Sequence, residues 1–262
     1  MRKIGISLGG SDDLPMQEYA MLLQENGFSC TFELADNMER VCKNAEILSQ
    51  YGVEYDSLHA PWQWINRIWW QEDQEEIALK GMMYTVDICA EIGCRNAVVH
   101  LSSGRTPPPP TDAGRARFIR LVEYAEKKKV TVAFENQRML SNIAWAFEEF
   151  KDSPYVGFCY DCGHEGCFTP GRQYMPLFGS KLVCTHIHDN NCNFNEDLHR
   201  LPFDGKLDYD RVARQIRESG FEGPLVLEVS RANEYYASLS NEEFLSRASA
   251  SIKKLRDMTD PA

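Results

Sequence analysis

The sequence predicts a single (β/α)8 barrel domain over residues 1–262. Two observations carry that expectation. Eight short strand-like runs recur along the chain, and most are followed by a segment with helical periodicity. Six of the runs also finish on a residue able to bind a metal, and only a closed sheet brings six strand ends to one point.

The runs are Lys3–Leu8, Phe28–Leu34, Glu54–Leu58, Asn96–His100, Val130–Glu135, Tyr155–Tyr160, Leu182–Ile187 and Pro224–Val229. Between them, Ile77, Tyr84, Ile88 and Ile92 share one helical face. So do Val122 and Ala125, then Tyr209, Val212 and Ile216, then Leu245, Ala248, Ile252 and Leu255. Helix-to-strand joints fall at Asn26–Gly27, Tyr51–Gly52, Ile92–Gly93 and Ser219–Gly220, where Gly serves as a C-cap. Alternation of this kind implies a parallel sheet. Pro107–Pro110 can continue neither helix nor strand and reads as a stiff loop after strand four. No composition shift marks a second domain.

Strands three to eight end at His59, His100, Glu135, Asp161, His186 and Glu228. In an open sheet, strands lie about 4.8 Å apart, so six ends would spread over roughly 25 Å. In a closed barrel they share the C-terminal face, where active sites of this architecture sit.

With 28 Lys+Arg against 39 Asp+Glu, the net charge of −11 works against nucleic acid or an anionic membrane as partner. No apolar run approaches the roughly 18 residues of a membrane span. The N-terminal run reads as a strand and not as a secretion signal, so a cytoplasmic protein is expected. Nine scattered cysteines, several inside apolar runs, fit reduced and mostly buried thiols. Cys159 and Cys162 have C-x2-C spacing without a second pair at zinc-ribbon distance, and Cys159 is expected in the core.

A carboxylate ending a buried strand needs a cation. For Glu135 and Glu228 the alternatives are Arg138 and Arg231, three residues further on, or a metal. Glu135, Asp161, His186 and Glu228, from four successive strands, make a mixed oxygen and nitrogen set without thiolate. Such a set suits one divalent ion, Mn²⁺, Zn²⁺, Co²⁺ or Mg²⁺, with positions left open for substrate. Trp62, Trp64, Trp69 and Trp70 follow strand three closely. They form either a small core under the loop or an aromatic wall against a sugar-sized ligand.

The chain resembles the xylose isomerase-like barrel superfamily of sugar isomerases and epimerases, which also contains the endonuclease-IV-type abasic-site nucleases. The resemblance rests on D-x-G-H at Asp161–His164, on H-x-H-D-N at His186–Asn190, and on the run Asp197–Asp208. That run is similar to D-x-H-x-x-P-x-G-x-G-x-I-D, but is one residue shorter after Pro202 and lacks the first Gly.

The resemblance implies a metal-dependent isomerase or epimerase of a ketose, aldose or polyol, working by proton transfer through a metal-stabilised enediolate. Glu135, Asp161, His186 and Glu228 would hold the metal, and Glu135 and Glu228 would move the proton. His59, His100, His164, His188 and Trp62 would bind substrate. His164, Asp197 and His199 could hold an additional metal. Ketose 3-epimerases carry Arg six residues after the metal His, where this chain has Cys192. Dehydration as in inosose dehydratases, a trinuclear zinc nuclease and a non-catalytic metal-binding barrel are the alternatives. The expected partner is a small sugar or polyol, with no nucleic acid and no membrane; a homo-oligomer is compatible with the sequence.

Overall fold

The computed structural model describes residues 1–9, 14–74 and 76–260. Its parallel strands are β1 (Ile4–Ser7), β2 (Cys30–Leu34), β3 (Glu54–His59), β4 (Asn96–His100), β5 (Thr131–Glu135), β6 (Val156–Asp161), β7 (Leu182–His186) and β8 (Leu225–Leu227). They pair in the order β7-β6-β5-β4-β3-β2-β1-β8. The ring closes just past β7, where Ile187 N donates to Val226 O (2.8 Å) and Glu228 N donates to Ile187 O (3.0 Å). The expected barrel is therefore formed.

The helices are α1 (Met16–Glu25), α2 (Met38–Gln50), α3 (Ile77–Ile92), α4 (Asp112–Lys128), α5 (Leu140–Glu149), α6 (Cys162–Phe168), α7 (Met175–Phe178), α8 (Tyr209–Glu218) and α9 (Asn241–Thr259). Gly27, Gly52, Gly93 and Gly220 all take positive φ at the expected joints. Asn37, Thr111 and Asp208 cap the starts of α2, α4 and α8, and Ser240 with Glu243 forms a capping box on α9.

One helical face differs from expectation. On α3 the fully buried residues include Leu79, Met82, Val86 and Cys89 beside Ile88, while Tyr84 is exposed and its hydroxyl accepts from Met38 N. This helix carries apolar residues around most of its circumference, so its periodicity does not fix which side faces the sheet.

Strand alternation places the site. On β4, β5 and β6, Val99, Phe134 and Phe158 point outward into the large core under the helices. Val98, Ala133 and Cys159, with Cys184 of β7, pack together inside the barrel, and Cys30, Phe32 and Val226 form a second interior cluster. Two residues beyond Val98, Ala133, Cys159, Cys184 and Val226 come His100, Glu135, Asp161, His186 and Glu228. The period of two aims all of them into the barrel mouth.

Of the four tryptophans after β3, Trp69 belongs to a satellite core. It is buried against Phe118 and Trp145, and its Nε1 donates to Leu101 O (2.7 Å). A Cβ at Gly114 on α4 would stand 2.0 Å from Trp69 Cε3. Gly114→Ala gains about 0.8–1.0 kcal/mol of helix propensity. It also overpacks a buried ring, which typically costs about 1–3 kcal/mol and more for so close an approach. The expected result is a melting temperature lower by several degrees, at about 2–4 °C per kcal/mol. An unchanged or raised midpoint in calorimetry would show that Trp69 does not pack on α4.

Candidate metal centre

All six histidines of the chain gather at the C-terminal mouth. Glu135 is the hub. Its Oε2 lies 2.5 Å from His100 Nε2 and 3.3 Å from His59 Nε2, and its Oε1 lies 3.1 Å from His186 Nδ1. Arg138, the ion-pair alternative for Glu135, instead donates to Asn195 Oδ1 (2.9 Å) and covers the Phe168 ring.

Glu135, Asp161, His186 and Glu228 each present a ligand atom within 4.8 Å of the others. Glu135 and Asp161 are buried, and Glu228 keeps 22% of its side chain exposed. His186 Nδ1 faces both Glu135 and Glu228, at 3.1 and 3.3 Å. Phe32 stacks on its ring at 4.3 Å and fixes its plane. Three converging carboxylates and one imidazole carry more negative charge than a buried pocket holds without a cation. The donor set therefore fits a hard or borderline divalent ion.

A second cluster lies beside the first. His164, His188, Asp197 and His199 also bring ligand atoms within 4.8 Å of one another. Asp161 stands between the clusters, with its Oδ1 3.0 Å from His188 Nε2. His188 stacks on His199 at 4.0 Å and is fully buried, with no hydrogen-bond partner for its Nδ1. The structure thus brings together all three residues named for an additional metal and adds His188, which sequence reasoning had placed on substrate.

Burial opposes the charge on His164, but Asp161, Asp197 and Glu135 outweigh it and push its pKa up to about 10. His199 also rises to about 10, since Asp197, Glu228 and Asp161 overcome its burial. Burial disfavours the anions of Glu135 and Glu228, yet the facing histidines hold both below the usual carboxylate range. At Asp161 burial wins and the pKa rises, despite His164 and His188.

Backbone contacts set these positions. Asn136 donates to Asp161 O and accepts from Asp161 N, both at 2.8 Å, tying the end of β5 to that of β6. The Asp189 carboxylate accepts from Phe203 N, Gly205 N and Leu207 N at 3.0–3.1 Å and so shapes the loop that carries Asp197 and His199. A Cβ at Gly205 would fall 2.3 Å from Asp189 Oδ1, so the retained glycine of this run is required. Phe203 adopts a left-handed φ of 73° in the stretch where the first family glycine is missing.

Gln137 was not anticipated. Its Nε2 is 3.1 Å from His100 Nε2 and 3.2 Å from His164 Nδ1. The only signal for it was the polar Asn136–Gln137 pair directly after a buried strand.

Trp62 stands at the mouth, 5.2 Å from His59 and 5.8 Å from His100 between ring centres. Trp64 and Trp70 are exposed on either side of Arg67. Cys159 packs beside Cys184 in the barrel, and Cys162 Sγ reaches His188 O, so the C-x2-C pair does not converge. A cavity of about 590 Å³ opens beside the first cluster, lined by His59, Trp62, His199 and Glu228 among others.

The family model described as xylose isomerase-like TIM barrel matches residues 18–256. The chain belongs to this family. An uncharacterised protein, y4fM, from Sinorhizobium fredii is 29% identical over 208 residues, 74% of this chain; the chain spans 64% of that relative's length. The fold superposes on an IolI protein with a bound zinc atom at a TM-score of 0.79, with 17% identity over 99% of this chain and all of the other. It superposes on D-psicose 3-epimerase from Clostridium cellulolyticum H10 at 0.76, with 12% identity over 98% and 99% of the two chains. Sugar epimerases thus stand among the structural neighbours of this family member. Among the described residues, no helix is long and apolar enough to cross a membrane.

Proposed function

We propose that the protein is a divalent-metal-dependent sugar isomerase or epimerase. The observation that carries this reading is the gathering of Glu135, Asp161, His186 and Glu228 at the edge of a cavity that Glu228 itself lines. An ion held by these four would polarise a sugar carbonyl and stabilise charge as a neighbouring C–H proton leaves. Glu228, ionised and reaching the cavity, takes that proton. Glu135, deeper and held by His59, His100 and His186, is the second carboxylate of the pair; to deliver a proton it would first take one from His164, 3.5 Å away and charged at neutral pH. Trp62 offers the ring's carbon face an apolar wall, and His59 offers a nitrogen to a substrate hydroxyl.

The test is incorporation of deuterium from heavy water into ketoses, aldoses and inososes by the metal-loaded protein. Exchange is expected with metal and not after chelation. Absence of exchange in every sugar tried would end this reading.

The second cluster favours a second reading, in which more than one ion is bound. His164, His188, Asp197 and His199 would hold another ion. Of these, His164, Asp197 and His199, together with His59, His100, Glu135, Asp161, His186 and Glu228, match the trinuclear pattern of the nucleases that the sequence resembles. The net charge of −11 and the absence of Lys and Arg from 189–197 weigh against a DNA substrate. Elemental analysis separates the readings: one ion per chain supports the isomerase alone, and three together with cleavage of abasic DNA would support the nuclease.

A further inference from the structure

His186 is held on one edge only. Phe32 and His59 stack on its ring at 4.3 and 5.8 Å between centres, and its Nδ1 faces Glu135 and Glu228. Its Nε2 is buried and has no hydrogen-bond partner among the described residues. With Nδ1 on a metal ion, the neutral ring carries its proton on Nε2. A metal-bound histidine almost always gives that proton to a carboxylate, a backbone carbonyl or a water, which fixes the ring and makes it a better ligand.

Elimination points to the acceptor. Among the described residues, the buried carboxylate oxygens without a hydrogen bond belong to Asp56, Asp73 and Glu228. Asp73 is paired with Arg67 at 2.8 Å, and Glu228 Oε2 already faces His186 Nδ1 at 3.3 Å. That leaves Asp56. The residue is partly exposed, but its Oδ2 is closed off from solvent.

Asp56 is the extra residue of a β-bulge, since Thr31 pairs with Tyr55 and Phe32 with Ser57. Bulges next to active sites re-aim a side chain. The charge of Asp56 is felt inside the barrel. The Cys30 thiol, in one interior cluster with Phe32, is pushed up by burial and then by Asp56. Burial pushes the Asp56 carboxyl itself up to about 7; of the cations that oppose this, His186 acts more strongly than Lys3. Lys3 is also paired with Glu54 at 3.3 Å. The interior residue two positions before His186 on β7 is Cys184, and β5 contributes Ala133. On β1 the residue is Gly5, where a Cβ would stand 2.6 Å from Cys30 Sγ. Bulky branched side chains usually fill these layers. Small ones suit a buried water that bridges two polar groups.

We propose that Asp56 is a positioning residue of the metal centre: it accepts the Nε2–H of His186 through a bridging water inside the barrel and so sets that ring as a ligand. The proposal rests on the reading that Glu135, Asp161, His186 and Glu228 hold one ion, and adds the group that supports the imidazole from behind.

Metal affinity tests it without any turnover. Metal-free protein is titrated with Zn²⁺ against a chelating dye. Asp56→Asn keeps the shape and removes the charge, and is expected to weaken Zn²⁺ binding about tenfold, the lower end for an outer partner. Asp56→Glu keeps the carboxylate and should restore most of the affinity. Asp73→Asn, which breaks the other buried carboxylate's pair with Arg67, should lower the melting temperature and leave Zn²⁺ affinity unchanged. In Zn²⁺-loaded protein labelled with ¹⁵N-histidine, the His186 Nε2–H signal should shift in Asp56→Asn. Without metal, Asp56→Asn should melt at or above the wild-type temperature, because burial already disfavours the anion it removes. Equal Zn²⁺ affinity in Asp56→Asn and wild type would overturn the role of Asp56 and leave the metal centre standing. An Asp56→Asn protein that melts well below the wild type without metal would make Asp56 a structural group and also overturn it. A wild type that binds no ion would overturn both readings.

Discussion

Glu228→Gln is expected to lower carbon-bound proton exchange by about 10²–10⁴-fold, the usual contribution of a positioned acid or base. Glu228 is the carboxylate of the proposed metal set that lines the cavity, and its backbone N–H is anchored on Ile187 O at the closure of the barrel. His186, 3.3 Å away, holds it ionised, so it is ready to accept a proton at neutral pH. The amide keeps the shape and one oxygen donor toward the ion but has no basic lone pair to take a proton. Deuterium incorporation gives the rate, and elemental analysis gives the metal content of the same sample. A variant that exchanges at the wild-type rate with metal bound would refute the role of Glu228 as base.

The barrel was legible because its signals are local and repeated. Period-two runs, Gly caps and helical stripes each follow from backbone geometry, and the strand-end ligands required the sheet to close. Register explains why the convergence of the strand ends was legible too: residues two apart on a strand share a face, so His100, Glu135 and Asp161 face inward with the small interior residues Val98, Ala133 and Cys159. What remained hidden depends on contacts between distant segments. The burial of Trp69 comes from Phe118 and Trp145 on other helices. The place of His188 beside Asp197 and His199 depends on a loop that Asp189 folds through backbone N–H groups more than ten residues away. Gln137 enters the site only because two histidines from other strand ends converge on it.

Asp161→Asn should separate metal binding from folding. Asp161 belongs to the first cluster through Glu135, His186 and Glu228, and touches the second through His188 and His164. Losing its charge is expected to weaken metal binding by at least the roughly 10–100-fold typical of removing an outer partner alone. The fold should survive. The Asp161 side chain caps α6 by accepting from His164 N at 2.6 Å, and Asn caps a helix about as well. Burial already penalises the Asp161 anion, so the metal-free variant should melt at or above the wild-type temperature. The contrast appears on adding metal. At a concentration 100 times the wild-type dissociation constant, the wild type gains about 2.7 kcal/mol, whereas a variant bound 100-fold more weakly gains only about 0.4 kcal/mol. Thermal melts with and without Zn²⁺ or Mn²⁺ read this difference directly. Equal metal-induced stabilisation and equal metal content in both proteins would remove Asp161 from the ligand set, and with it the argument that the four strand ends hold one ion.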